Sequence, residues 1–277
     1  MTTPFRTALS HLVGWAADRR LPKALRPTAH RTFARLTGAD LSEVRPPLDG
    51  YASVGAFFVR RLAEGARSFP EDPLQLGSPC DGRLQATTVL EGGDAIEAKG
   101  LPYSAEALLC DLHRDEDLGP AVDLDGARVI TVYLSPRDYH RVHCPLPSVL
   151  ERVRWAGGAR FSVAPKVLKR RPTVHVENER AVLRLRHGHQ PWFLVMVGAL
   201  NVGRIRVVGV PAGEAEPRRR DPSFARGEEL ARFELGSTVV MVLPQPTATF
   251  DSSLSPGAPV RMGQPLARLT DGWAEGR

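Results

Sequence analysis

The sequence predicts an α+β protein in which N-terminal amphipathic helices pack beside a β-rich, mainly antiparallel core. Residues 4–37 and 53–64 space many apolar side chains three or four positions apart, as one face of a helix requires. From residue 78 onward, short runs rich in β-branched residues alternate with turn sequences, which indicates strands. We therefore divide the chain into a helical region, residues 1–65, and a β-rich core, residues 66–277.

The first helical segment combines an apolar stripe with basic side chains. The stripe consists of Phe5, Leu9, Leu12, Val13 and Ala16, with Trp15 beside it. The basic residues around and after it are Arg19, Arg20, Lys23, Arg26 and Arg31. Pro22 and Pro27 are expected to break the segment, because proline interrupts a helix interior. Two interpretations stay open, packing on the core and shallow contact with a membrane interface.

The core strands are predicted from apolar, β-branched runs. These runs are 129–134, 181–185, 192–199, 202–209, 238–243 and 259–269. A short helix is predicted over 105–112, where Ser104 can act as its N-terminal cap. Residues 211–227 are rich in proline, glycine and arginine, which favours a solvated loop.

Composition narrows the possible partners. The 277 residues are 42% hydrophobic and 25% charged, as in globular proteins. The net charge of +6 favours an anionic partner, either nucleic acid or an acidic membrane surface, and no nucleic-acid-binding motif is present. The three cysteines have no metal-ligand spacing, so we expect reduced thiols and no metal site. Neither a membrane span nor a secretory signal is expected.

The stretch from Phe233 to Leu243 carries the most informative chemistry. Its apolar run from Thr238 onward predicts a buried strand, and Gly236-Ser237 lies where that strand begins. On turn chemistry alone, a glycine followed by a hydroxyl residue is usually an ordinary turn. A serine hydrolase is disfavoured, because the Gly-x-Ser-x-Gly sequence of the nucleophile elbow is absent.

Two histidines three positions apart, His140 and His143, admit three interpretations. A zinc site is weakly indicated, since no third ligand is evident. They can also be structural histidines, or acid/base groups. Together with Asp81 and Ser237 they would complete a set of nucleophile, base and orienting carboxylate. Asp81 alone reads as part of an Asp-Gly turn.

Several separated motifs give the chain its resemblance to a known family. They are Phe57-Phe58-Val59-Arg60, Ser78-Pro79-Cys80-Asp81-Gly82, Lys99-Gly100 with Tyr103-Ser104, Tyr133 through His143, Phe161-Ser162-Val163, Asn178-Glu179-Arg180, Gly198-Ala199 with Val202-Gly203, and Leu235-Gly236-Ser237-Thr238. In this order they resemble the bacterial phosphatidylserine decarboxylases, pyruvoyl-dependent membrane enzymes that make phosphatidylethanolamine. Cys80 and Ala231 depart from the usual pattern, at positions that carry no chemistry.

The resemblance implies that the chain cleaves itself between Gly236 and Ser237. The Ser237 hydroxyl would attack the Gly236 carbonyl, with His143 as base and Asp81 as the carboxylate that orients it. Cleavage would leave a chain of residues 1–236 and a chain of residues 237–277 that begins with a pyruvoyl group, and the two chains would stay associated. His140 would then supply a proton during decarboxylation, although the roles of the two histidines can be exchanged.

The resemblance also implies partners and a location. The substrate would be phosphatidylserine, with substrate contacts from Tyr139, Arg137 and Thr238. The protein would attach to an anionic surface as a peripheral protein on the cytoplasmic side of the cell membrane, and it would bind no nucleic acid. Two alternatives stay open: a membrane-binding relative that has lost processing, and a pyruvoyl decarboxylase of a related serine-containing substrate.

Overall fold

The structure, a computed structural model, describes most of the chain. The described residues are 14–91, 95–98, 101–199, 205–214, 222–234, 237–244, 248–251 and 254–273. The α-helices are α1 Arg26–Thr37, α2 Val54–Phe58, α3 Ala105–Leu109, α4 Pro165–Leu168 and α5 Val174–Glu177. Short 3-10 helices lie at Lys23–Leu25, Leu48–Gly50, Leu112–Arg114, Glu116–Leu118 and Asp271–Trp273.

Strands make up the body of the protein. Their bounds are β1 Gln75–Gly77, β2 Gly82–Val89, β3 Ala95–Ala98, β4 Leu101–Ser104, β5 Arg128–Leu134, β6 Arg141–His143, β7 Ser148–Ala156, β8 Arg180–His187, β9 Gln190–Gly198, β10 Ile205–Val207, β11 Ser223–Phe224, β12 Glu229–Phe233, β13 Ser237–Leu243, β14 Ala248–Phe250, β15 Pro259–Val260 and β16 Pro265–Leu269. The largest sheet has the order β11-β7-β8-β9-β13-β5-β2-β15, and all its neighbouring strands are antiparallel. This confirms the predicted α+β fold with an antiparallel core.

Strand β13 lies in the middle of this sheet and organises the core on both of its faces. It pairs with β5 on one side and β9 on the other, and all of its residues are buried. Val239 and Met241 pack into one hydrophobic cluster, whereas Val240 and Val242 pack into a second. Because successive side chains of a strand point to opposite faces, Ser237 is directed toward the first cluster.

A second sheet covers the face toward which Ser237 points. Its strand order is β10-β12-β6, and its buried residues join the first cluster. Val142 of β6 and Phe233 of β12 belong to that cluster, as does Leu134 of β5. The β6 strand, which ends at His143, therefore lies on the same side of the large sheet as the Ser237 side chain.

The N-terminal helical region differs in detail from the prediction. Helix α1 begins at Arg26 with Pro27 in its first turn, a position where proline is well tolerated, so Pro27 starts this helix instead of interrupting one. The helix ends at Gly38, which has a positive φ of 81°. Residues 14–18 form a separate helical piece, and the stripe residues before residue 14 lie outside the described part of the chain.

The helix predicted over 53–64 is much shorter than expected. Ser53 caps it through a 3.0 Å hydrogen bond from the Ala56 amide, and helix α2 ends at Phe58. The chain then forms a short antiparallel contact between Val44 and Leu62. This turn of the chain lets the Arg60 guanidinium reach the Arg137 carbonyl, at 2.8 Å, which a continued helix would prevent.

Two other predictions are wrong in extent. The run 259–269 forms two short strands, β15 and β16, separated by a turn at Gly263. A Cβ atom there would lie 2.0 Å from the Ser68 carbonyl oxygen, so only glycine fits this close approach. The predicted loop 211–227 includes strand β11, and its Arg226 guanidinium donates to the carbonyls of Pro70 and Asp72.

Candidate active site

Two connections meet at the end of the central strand. One joins β5 to β6 through residues 135–140, and the other joins β12 to β13. Ser237 pairs with Leu134 in the sheet register, and the Phe233 amide donates to the His140 carbonyl at 3.0 Å. The two connections are therefore held together at both of their ends. The loop of residues 135–140, called the histidine loop below, thus lies next to the start of β13. Leu235 and Gly236 lie outside the described residues.

Ser237 is a buried nucleophile candidate. It has no exposed surface, and its Oγ has no hydrogen-bond partner among the described residues. A buried hydroxyl without a partner costs about 1–3 kcal/mol, so such a group calls for an explanation. A role in chemistry at the start of β13 supplies one. Thr238 is also buried and its Oγ1 is unpartnered among those residues, but its side chain points to the opposite face of the sheet.

His140 is held as a neutral imidazole. Its Nδ1 donates to the Asp138 carbonyl at 2.8 Å, which leaves the lone pair on Nε2. The Phe58 ring lies 4.1 Å from the imidazole, centroid to centroid, and Nε2 has no partner among the described residues. Burial lowers the pKa of His140 to about 3. The ring is therefore uncharged near pH 7, with its free nitrogen inside the protein.

His143 has the same tautomer but a different neighbour. Its Nδ1 donates to the Gly227 carbonyl at 2.7 Å, and its Nε2 accepts a 3.0 Å hydrogen bond from the Tyr139 hydroxyl. Burial lowers the pKa of His143 and raises that of Tyr139. Both groups are therefore neutral near pH 7. The hydrogen bond from Tyr139 covers the nitrogen of His143 that would act as a base.

Asp81 is paired with an arginine and not with a histidine. Its Oδ1 accepts from Arg67 Nε at 2.9 Å and from the Met262 amide at 2.8 Å, while Oδ2 accepts from an Arg67 terminal nitrogen at 2.6 Å. The predicted hydrogen bond from His143 to Asp81 is not formed, because the Gly227 carbonyl already holds His143 Nδ1. The side chain of Arg67 is only 6% exposed, so this ion pair is buried.

The glycine after Asp81 explains how the carboxylate is placed. Gly82 begins strand β2, and a Cβ there would lie 2.4 Å from the Tyr133 carbonyl oxygen of β5. Only glycine permits this approach of the two strands. The Asp-Gly sequence therefore enters a strand that is paired on both sides, and Asp81 is only 9% exposed instead of solvated at a hairpin tip.

A cavity of about 460 Å³ gives access to His143. Its lining residues are Arg45, Arg61, Leu62, Ala63, Glu64, Arg67, Tyr139, His143, Glu229 and Met262. A smaller cavity, of about 200 Å³, includes Asp81 and Arg137. Leu62, Arg67 and Tyr139 line both cavities, whereas Asp81 lines only the smaller one and His143 only the larger.

The three predicted substrate contacts lie in different places. Tyr139 lines the larger cavity beside His143, whereas Arg137 lines only the smaller one among the cavities described, and its Nε lies 3.6 Å from Asp138. Thr238 faces the other side of the sheet. Arg60 belongs to one of the motifs of the resemblance but is not among the predicted site residues. It is buried and donates to the Arg137 carbonyl, and it thereby holds the histidine loop in place.

The described part of the chain contains no group of three or more histidine, cysteine, aspartate or glutamate residues that could hold a metal ion.

Arg67 and the Gly227 carbonyl are further site groups that sequence reasoning missed. No sequence signal marks them, since one acts through a tertiary ion pair and the other through its backbone.

A buried serine at the start of the central antiparallel strand, next to the segment that carries two neutral histidines, defines a candidate site for serine-centred chemistry. The family model for phosphatidylserine decarboxylase matches residues 54–268. Relatives described as phosphatidylserine decarboxylase proenzyme include that of Halorhodospira halophila, 41% identical over 95% of this chain and 90% of its own length. Those of Anaeromyxobacter sp. and Aliivibrio salmonicida are 37% and 34% identical, over 94% and 95% of this chain and 94% of each relative. The chain belongs to the phosphatidylserine decarboxylase family.

Proposed function

We propose that this protein cleaves itself at Gly236-Ser237 and then converts phosphatidylserine to phosphatidylethanolamine and CO2. The observation that carries the proposal is the buried, unpartnered hydroxyl of Ser237, in a family whose relatives are named proenzymes. Purified protein supplied with phosphatidylserine tests it. The expected result is release of CO2 with formation of phosphatidylethanolamine; turnover of only another serine-containing compound would favour the alternative substrate.

The proposed cleavage uses the groups gathered at the start of β13. The Ser237 Oγ attacks the Gly236 carbonyl carbon, its proton passes to a neutral imidazole, and the peptide bond becomes an ester. Elimination across the Cα–Cβ bond of residue 237 releases the upstream chain with a free carboxylate. Tautomerisation and addition of water then release ammonia and leave a ketone at residue 237.

Cleavage removes the side-chain oxygen of Ser237, which leaves on the new Gly236 carboxylate, and the ketone oxygen takes the place of the backbone nitrogen of residue 237. Ser237 is fully buried and its Oγ has no partner among the described residues, so loss of this oxygen breaks no hydrogen bond to them. A pyruvoyl group supplies the electron sink that decarboxylation needs. Tyr139, Arg137 and Thr238 are the proposed substrate contacts, and of these Tyr139 lines the cavity beside His143.

We assign the base for cleavage to His143 and the proton donor for decarboxylation to His140. Both rings keep their proton on Nδ1 through a backbone carbonyl, so Nε2 is the basic nitrogen of each. That of His140 has no partner among the described residues, whereas that of His143 must first give up its hydrogen bond from Tyr139. Burial lowers the pKa of His140 and keeps the ring neutral near pH 7, so in this assignment Nε2 first takes up the proton that it later donates. Asp81 remains the proposed carboxylate of this site, although it is bonded to Arg67 and the Met262 amide and not to His143.

The two chains produced by cleavage are expected to remain one body. The fragment 237–277 supplies β13, which is bonded on both sides, and β16, which pairs with β1 of the larger fragment. Its side chains fill both hydrophobic clusters. Size-exclusion chromatography under native conditions should show co-elution of both fragments. Elution of the small fragment by itself would contradict the heterodimer.

We also propose that residues 1–65 attach the catalytic core, residues 66–277, to the cytoplasmic face of the cell membrane as a peripheral protein. Three apolar side chains in the N-terminal region are exposed, Trp15 at 57%, Leu25 at 58% and Leu36 at 81%. The Arg19 guanidinium lies 4.0 Å from the Trp15 ring, so basic and apolar groups share this surface. Within the described residues, no helix is both long and apolar enough to cross a membrane.

Replacing Trp15, Leu25 and Leu36 together by serine should weaken binding to vesicles that contain anionic lipid, because each removed apolar side chain and each nearby cation contributes on the order of 1 kcal/mol. Added salt should weaken binding of the parent protein as well. Vesicle co-sedimentation measures both effects. Val89→Ser, which changes an exposed valine of the β-rich core, is the control. Equal binding by the triple variant and the control would remove the attachment proposal.

A further inference from the structure

A two-stranded ribbon forms one wall of the larger cavity. The Arg45 amide donates to the Arg61 carbonyl at 2.8 Å, and the Ala63 amide donates to the Glu43 carbonyl at 2.8 Å. The Tyr51 hydroxyl donates to the Arg45 carbonyl at 2.9 Å, which fastens the ribbon from outside. Arg45 and Arg61 are therefore held opposite each other at the cavity that leads to His143.

This pairing places two like charges side by side. Both arginines are exposed, and neither forms an ion pair with any described residue, in contrast to Arg67, which is bound by Asp81 and Glu43. Like charges directly opposite each other on paired strands are destabilising. The fold nevertheless keeps both arginines at the mouth of the cavity, where a bound anion would relieve this repulsion.

The acidic residues of the cavity do not supply that compensation. Glu229 accepts hydrogen bonds from Arg141 and Arg232, so its carboxylate is already occupied. Glu64 is exposed on the rim of the cavity and forms no ion pair with a described residue. Glu64 supplies one negative charge against the two positive charges of Arg45 and Arg61, so the entrance of the larger cavity is positively charged.

We propose that Arg45 and Arg61 bind the phosphodiester group of the substrate, and so position its serine part toward His143. This inference rests on the proposed function and names the specificity residues of that same site. Arginine suits this task, because its planar guanidinium donates two parallel hydrogen bonds to phosphate oxygens. A cavity of about 460 Å³ falls in the range of sites that hold small ligands.

The double variant Arg45→Gln with Arg61→Gln tests the proposal on dihexanoyl phosphatidylserine, supplied as monomers so that no lipid surface is present. We expect KM to rise at least about tenfold while kcat changes less than about twofold, since charged hydrogen bonds to substrate are lost without touching the reacting atoms. Self-cleavage should stay complete. Arg170→Gln, which removes an exposed arginine that does not line the cavity, should leave KM unchanged. The double lysine variant should give an intermediate KM, because charge remains but the planar fork is lost.

Two further measurements separate the possible sources of the anion. Inorganic phosphate should inhibit the parent protein competitively and the double glutamine variant much less. If phosphate inhibits the parent but the double glutamine variant keeps the parent's KM for the monomeric lipid, the arginines form a free-phosphate site and the proposal is overturned. A defect on anionic vesicles that is absent with monomers would show surface attraction only, and would also overturn it. Equilibrium binding of glycerophosphoserine keeps the two proposals distinct. If the parent protein binds it through the arginines but decarboxylates nothing, the proposed function fails and the anion site stands.

Discussion

Ser237→Ala is expected to leave a single uncleaved chain of 277 residues. Alanine has no oxygen to attack the Gly236 carbonyl, so ester formation and every later step are blocked. The change should be tolerated by the fold, because Ser237 Oγ has no hydrogen-bond partner among the described residues. Denaturing gel electrophoresis of the purified variant gives the result directly, and phosphatidylserine turnover should be lost together with cleavage.

The control for this variant is another buried serine. Ser148 lies in β7 and its hydroxyl bonds the Leu146 carbonyl and the Trp192 indole, outside the candidate site. Ser148→Ala should therefore cost some stability but leave cleavage complete. If the Ser237→Ala protein were still cleaved between residues 236 and 237, as completely as the Ser148→Ala control, Ser237 would not be the nucleophile.

His143→Ala should slow cleavage by a factor on the order of 10⁴, the loss that follows removal of a buried catalytic partner in serine proteases. The variant lacks the neutral Nε2 that takes the serine proton. His140→Ala should cleave more normally and decarboxylate poorly. Pulse-chase labelling measures cleavage, and product formation by the cleaved fraction measures decarboxylation.

The matched control is His175→Ala. This histidine is buried like His140, and its Nδ1 lies 3.0 Å from the Tyr103 hydroxyl beside the second hydrophobic cluster. Its loss therefore creates a defect in packing without touching the candidate site. Normal cleavage is expected there. If instead His140→Ala blocked cleavage and His143→Ala did not, the two assignments would be exchanged, an outcome with which the unpartnered Nε2 of His140 is compatible.

The central strand could be predicted because its sequence is unambiguous. Thr238 through Leu243 are all buried, and a strand covered on both faces must be apolar along its whole length. Strand β7 could not be found in this way. Its Glu151 binds Arg184 and Arg186 of β8, while Arg152 and Arg154 bind Asp115, so charged side chains interrupt the apolar pattern. Their ion pairs are tertiary and leave no local signal.

The reactive groups of the candidate site could be predicted from the sequence, but the groups that hydrogen-bond to them could not. A serine after glycine at a strand entrance and a close pair of histidines are visible in the sequence. The partner of Asp81 is not, because Arg67 lies 14 positions upstream in an irregular segment. The tautomer of His143 is set by the Gly227 carbonyl, and any residue type supplies a carbonyl. The resemblance to the family therefore gave the role of orienting His143 to Asp81.

Intact-mass measurement of the purified protein under denaturing conditions tests self-cleavage at Ser237 most directly. We predict two species, residues 1–236 and a fragment of 41 residues, 237–277, whose first residue has lost its amine and carries a ketone. Treatment with hydroxylamine should shift the mass of the small fragment only, because it alone contains a ketone. A single species with the mass of the uncleaved chain, or a small fragment that begins with an unmodified serine, would contradict it.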